Sequence, residues 1–161
     1  KESVNADRAN YESLDYYMLY LHHNDYLIFM EMNNHAILND DYYCGLFESL
    51  GVNPDKITED TDFLVIQDAG KKVDYFEKFR ESENNITSDL GTIQIFAAES
   101  GTYGAYLNGE ELFAVTPEQS QNPEIRIVVV DKSTKEVTDQ SCFSKRTDAD
   151  RHGAVRTYMK E

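Results

Sequence analysis

The 161-residue sequence has no tryptophan, two cysteines, three prolines and half as many basic as acidic side chains, 15 against 30. Cys44 and Cys142 are too few for a disulfide scaffold, and no CxxC or Cys/His spacing builds a zinc site. A single Cys44–Cys142 bridge is open to the chain in an oxidising compartment. The shortage of lysine and arginine leaves a net charge of −15. That charge repels phosphate backbones and anionic lipid, so nucleic acid and membrane surfaces are not expected partners. No apolar run is long enough to span a bilayer, and no direct membrane insertion is expected in this segment. No glycine-rich phosphate loop is present, and Ser100 and Ser141 lack the strand–turn–helix context of a nucleophile. The expectation is therefore no catalytic residue, no metal and no cofactor.

Tyrosine, by contrast, is abundant, with 11 residues. Its ring packs on half-buried sheet faces while its hydroxyl reaches water or a partner. The clearest unit lies in residues 25–51. Residues 26–32 form a near-continuous apolar run, the pattern of a strand buried on both faces. A polar connection, Asn33-Asn34-His35, leads to a short helix with Tyr42 or Tyr43, Leu46, Phe47 and Leu50 at helical spacing. Asn39 or Asp40 can cap that helix, Asp41 suits its positive end, and Gly51 ends it. Before this unit, Leu14, Tyr17, Met18 and Leu21 predict an amphipathic helix from residue 10 or 13 to about residue 22.

After the unit come a charged connection over 52–62 and a second buried strand over 63–66. Residues 73–80 read as either helix or strand, with Tyr75, Phe76 and Phe79 partly exposed, and 81–89 as a polar surface linker. From there turn signals separate strands at 92–98, 103–107, 111–115, 125–130 and 137–143. Asn108-Gly109 is a hairpin signal, because both residues tolerate positive φ, and 131–135 closes a second hairpin. The expected fold class is α+β, with antiparallel sandwich-like sheets and helices packed on one side. The expected organisation is a single domain over 1–161. It comprises a helix–strand–helix–strand half (11–72), a connecting segment (73–90), a β-meander half (91–143) and a polar tail (144–161).

Two stretches carry a family resemblance. Residues 91–143 contain a Tyr-Leu-Asn-Gly-Glu-Glu-Leu hairpin, then Ile-Arg-Ile-Val-Val-Val-Asp-Lys-Ser-Thr-Lys-Glu-Val and Phe143. This resembles the N-terminal half of interleukin-like epithelial–mesenchymal-transition inducer domains. Such domains occur in the secreted FAM-three cytokine-like proteins and in the stem of protein O-mannose N-acetylglucosaminyltransferase. Residues 14–70, with Asp41 and Gly45-Leu46-Phe47-Glu48-Ser49-Leu50-Gly51, resemble the C-terminal half. The halves stand in reversed order, as a circular permutation joined through 71–90 would place them; a cut through tandem domains is the alternative. The family's aromatic strand, with its Arg, its Trp and most of its glycines, is replaced by Asp60-Thr61-Asp62-Phe63-Leu64-Val65-Ile66-Gln67-Asp68-Ala69-Gly70.

The resemblance implies a non-catalytic extracytoplasmic recognition module, secreted, at the cell surface or in a secretory-pathway lumen. It would bind a glycan or a protein partner as part of a larger polypeptide. The chain opens at Lys1 rather than at a methionine, in keeping with that expectation. Candidate ligand residues are Tyr103 and Tyr106, with Phe113 opposite, as ring platforms, and Asn108, Glu110 or Asn122 as hydroxyl partners. Asn34 and His35 are candidates in the loop after the central strand. Asn85-Ile86-Thr87 is a glycosylation sequon, relevant only to a secretory route. The alternatives are a secreted cytokine-like ligand, and a metal-dependent or carboxylate-based hydrolase. The hydrolase would use His35 with Asp40 and Asp41, or Glu31 with Glu99. An acidic cluster of Asp55, Glu59, Asp60 and Asp62 lacks the spacing of a twelve-residue calcium loop and reads as a solvated face.

Overall fold

The computed structural model describes residues 13–22, 24–81, 83–116, 124–145 and 154–157. The expected Asn122 contact therefore lies outside the described residues. The order of elements is α1 (Leu14–His22), β1 (Leu27–Met32), α2 (Asp41–Ser49), β2 (Thr61–Gln67), β3 (Lys72–Glu77), β4 (Asn84–Ser88), β5 (Gly91–Ala97), β6 (Tyr103–Leu107), β7 (Glu110–Val115), β8 (Ile125–Asp131), β9 (Glu136–Lys145) and β10 (Ala154–Thr157). Two antiparallel sheets result. Sheet A has six strands in the order β10-β9-β8-β1-β2-β3, and sheet B has four in the order β4-β5-β6-β7. The fold is α+β, with sheet B covering one face of sheet A and the helices the other.

β1 is buried along its whole length because both of its faces are used. Ile28, Met30 and Met32 meet Leu14, Tyr17, Met18 and Leu21 of α1 and Tyr43, Leu46 and Phe47 of α2. Leu27 and Phe29 meet Ile93, Ile95 and Phe113 of sheet B. β8 is buried on both faces for the same reason, and it lies directly against β1 with Phe29 opposite Val128. Strands from the 11–72 and 91–143 stretches thus share one sheet.

Local signals set the boundaries. Asp40 caps α2 by accepting from the Tyr42 N–H, and Tyr43 rather than Tyr42 takes the buried position. Gly51 follows α2 at φ 89°, and a Cβ there would stand 2.0 Å from the carbonyl oxygen of Gly70, itself at φ 89°. Only glycine lets the end of α2 and the β2–β3 turn approach so closely. Asn108 and Gly109 both adopt positive φ between β6 and β7, and 131–135 turns β8 into β9.

Four expectations need correction. Residues 73–80 take the strand alternative, as β3 followed by a short 3-10 turn, with Tyr75 and Phe76 half-buried, but Phe79, expected to be partly exposed, is fully buried against Phe63 and Tyr103. Residues 81–89 are not a linker throughout: 84–88 form edge strand β4, anchored by a single buried apolar side chain, Ile86. One inward residue with polar flanks is what an edge strand of an exposed sheet needs, and it leaves a weak pattern. The stretch 91–143 is not one meander. The meander is β4 to β7, after which the chain crosses to sheet A, because apolar β8 can bury both faces only at its centre. The tail contains strand β10, paired with β9.

Candidate functional site

Among the described residues, two places concentrate groups able to hold a ligand: the outer face of sheet B and the layer between the sheets. In β5 and β6 alternate residues point away from the core. The outward set includes Thr92, Gln94 and Phe96 on β5 and Tyr106 on β6, with Gln94 opposite Tyr106 and Phe96 opposite Gly104. A Cβ at Gly104 would stand 2.9 Å from the Phe96 ring, so the missing side chain gives that ring its place. The rings of Phe96 and Tyr106 are 4.9 Å apart, centre to centre, and both are half-buried. Glu111 lies directly opposite Tyr106 on β7. It also lines a cleft of about 280 Å³ with Leu107, Asn108, Glu110, Leu112 and Lys135. The outer face thus offers two adjacent rings and an amide, and at the β6–β7 end beside it, where Lys135 of the β8–β9 turn approaches, lies a shallow cleft bearing two carboxylates and one ammonium.

Among the residues expected to bind, the structure unites some and removes others. Tyr106 stands on this face, and Asn108 and Glu110 line the cleft beside it. Tyr103 does not join them. Tyrosine alternation places it on the inner face, 2 % exposed, so it is a core residue and not an exposed platform. Phe113 is likewise buried in the inner layer, 5.0 Å from Phe29. The Asn108 side chain ties the β6–β7 turn to the β4–β5 turn, accepting from the Thr92 N–H and donating to the Leu90 carbonyl. Asn34 caps the 3-10 turn at residues 35–39 and donates to Glu124, while His35 Nε2 bonds the Thr61 carbonyl at 2.5 Å. Both lie away from the ring pair. Cys44 and Cys142 are not joined in a disulfide. Cys44 rides on α2, and Cys142 stands opposite Arg126 on the sheet B side of sheet A, so a whole sheet separates them. Among the described residues no group of three or more His, Cys, Asp or Glu is placed to hold a metal ion.

No family model, no curated protein and no solved structure matches this chain.

The inter-sheet layer holds the charged feature of the molecule. Glu31 on β1 is buried in the centre of sheet A, not at an edge, and stands opposite Arg126 on β8. Arg126 Nη1 donates to Glu31 Oε1 and, at 3.3 Å, to the Tyr103 hydroxyl, which in turn donates to Glu31 Oε1 at 3.3 Å. Arg80, from the turn after β3, donates to Glu31 Oε2. Its guanidinium lies 4.9 Å from the Phe79 ring and 4.8 Å from the Tyr103 ring. Burial, reinforced by the Glu31 charge, pushes the Tyr103 hydroxyl well above the usual tyrosine range. Burial works against the Arg126 charge, but Tyr103 and Glu31 outweigh it and hold that proton more tightly still. Arg126 Nε and Nη2 are buried without a partner.

The sequence carried a sign of this cluster. A lone glutamate in Leu-Ile-Phe-Met-Glu-Met and a lone arginine in Ile-Arg-Ile-Val-Val-Val are opposite charges in two fully buried strands. Such charges persist in a core only when paired. Of the pairing of Glu31 with Glu99 that the hydrolase alternative would need, Glu31 has both oxygens taken by arginine donors.

Proposed function

We propose that the protein is a non-catalytic recognition module that binds a glycan on the outer face of sheet B. It would work in an extracytoplasmic setting as part of a larger polypeptide. The observation that carries this reading is the Phe96–Tyr106 ring pair beside the cleft lined by Asn108, Glu110 and Glu111. Aromatic rings pack against the apolar faces of sugar rings, and nearby carboxylates and amides accept and donate to hydroxyls. The resemblance of the two half-sequences to inducer domains, one of which sits in a glycosyltransferase stem, adds support from outside the site. Fold likeness alone does not fix function, so the ring pair bears the weight.

A glycan array probed with the protein, paired with product analysis of the retained sugars, tests the proposal. The expected result is retention of a subset of glycans without turnover, weakened at least tenfold by Tyr106→Ala or Phe96→Ala. Retention unaffected by both substitutions, or cleavage of the sugars, would overturn it.

A second reading, docking of a protein partner, is favoured by a different surface. Among the described residues, Tyr16 (59 % exposed), Leu19 and Tyr42 (43 % exposed) are the large hydrophobic side chains left in solvent. They sit on the outer side of the helical layer, where the Tyr42 hydroxyl reaches Asp15 at 3.1 Å. Partner capture lost on Tyr16→Ser and Tyr42→Ser, with glycan retention absent, would move the function to this face.

A further inference from the structure

Arg80 and Arg126 bind the same carboxylate but stand in different surroundings. The Arg126 side chain is 1 % exposed and holds Glu31 Oε1 from within sheet A, whereas the Arg80 side chain is 39 % exposed and reaches Oε2 from the rim. Its tip lies between the rings of Phe79 and Tyr103, both buried in the inter-sheet layer. The Phe63 ring is 4.5 Å from Phe79 and 6.0 Å from Tyr103, and closes the inner side. A buried carboxylate oxygen reached by a half-exposed guanidinium packed on two aromatic rings is a seat for a planar cation. Ring quadrupoles and the acid attract it together, and a guanidinium is the group that fits both.

We infer that the Glu31–Phe79–Tyr103 recess is a guanidinium-binding site, occupied by Arg80 as an internal ligand and able to take the arginine side chain of a partner in its place. Exchange leaves Glu31 neutralised, because Arg126 and the Tyr103 hydroxyl stay on Oε1. The carboxylate is therefore never stranded in the core, which is the state that would forbid release of Arg80. The net charge of −15 raises the local concentration of cations at the rim. The site is separate from the outer face of sheet B and does not depend on glycan binding.

The test uses ethylguanidinium as the probe, with ethylammonium as control, followed by tyrosine-ring NMR shifts and thermal melting. Arg80→Ala should melt below the parent protein and bind ethylguanidinium saturably, with its melting temperature recovering as the probe is added. Ethylammonium should bind at least tenfold more weakly. The parent protein should bind ethylguanidinium at least tenfold more weakly than Arg80→Ala, because its own arginine competes. Arg80→Ala/Glu31→Gln should show no saturable binding. If Arg80→Ala does not fold, Arg80→Lys takes its place, and ethylguanidinium should still bind and raise its melting temperature. Absence of saturable binding in the folded variant, equal binding by both probes, equal binding by parent and variant, or binding retained without Glu31 would each overturn the inference.

Discussion

Sheet A buries an acid on each of its faces and answers them differently. On the helical face Asp139 of β9 accepts from the Tyr17 hydroxyl and from the Ser141 hydroxyl, each at 2.5 Å. On the sheet B face Glu31 is met by two guanidinium groups and a tyrosine hydroxyl. The first arrangement supplies hydrogen bonds from neighbours already ordered by α1 and β9. The second joins β1, β6, β8 and the turn after β3 through charge, and leaves two Arg126 nitrogens without partners. A charged pair in a core is repaid only while every member is present, whereas single hydroxyl bonds can be lost one at a time. The lesson is that the inter-sheet layer should fail abruptly and the helical layer gradually.

The sharpest way to break that contrast is Glu31→Gln, which leaves two arginines facing each other without their acid. A loss of about 3–5 kcal/mol is expected in urea denaturation. Replacing both partners, Glu31→Met with Arg126→Met, should cost less than Glu31→Gln alone; a double variant as weak as the sum of its singles would remove the distinction. Next in size, Tyr17→Phe or Asp139→Asn should each lose about 1.5–3 kcal/mol, the range for a bond to a charged group. The combined variant should lose less than the two added together, since both remove one contact.

The smallest effect concerns Asp62 at the rim of the charged layer. Burial raises its pKa first, and the Glu31 charge adds to this, while the N–H of Phe79 and the Arg80 charge oppose it. An acid raised in the folded state binds its proton more tightly there. Its contribution to stability is present below the raised value and is lost as the pH climbs past it. Asp62→Asn keeps an acceptor for the Phe79 N–H. It should leave stability at neutral pH equal or higher, by on the order of a few tenths of a kcal/mol for a half-buried group. Relative to the parent, that gain should shrink as the pH falls through the range where Asp62 protonates. A difference that moves in the variant's favour as the pH falls, or a clear loss of stability at neutral pH, would show that the Arg80 attraction outweighs burial.

Much of the fold could be read from residue order. The β1 run, the Asp40 cap, the Gly51 stop, the Asn108-Gly109 turn and the apolar stripe of α1 each carry their geometry locally. The edge strands β4 and β10 could not be read that way, because an edge presents few inward residues and its pairing is settled by the neighbour. The candidate site was half legible. Tyr106, Asn108 and Glu110 gather at one end of sheet B, but Tyr103, three residues from Tyr106, faces the opposite way. A strand alternates side chains between its faces, and the bulge after Ala105 shifts the pairing with β7 beside it.

By itself the sequence determined which segments are helix or central strand, that two sheets and two helices must share apolar faces, and that the surface carries excess negative charge. These follow from periodicity, capping and composition, which act over a few residues. Only the tertiary structure decided which face of sheet A meets the helices, that Glu31 meets Arg126 and Arg80, and that Phe96 joins Tyr106 above Gly104. Those partners lie tens of residues apart in most cases, and their meeting depends on strand order and register, which no local pattern contains.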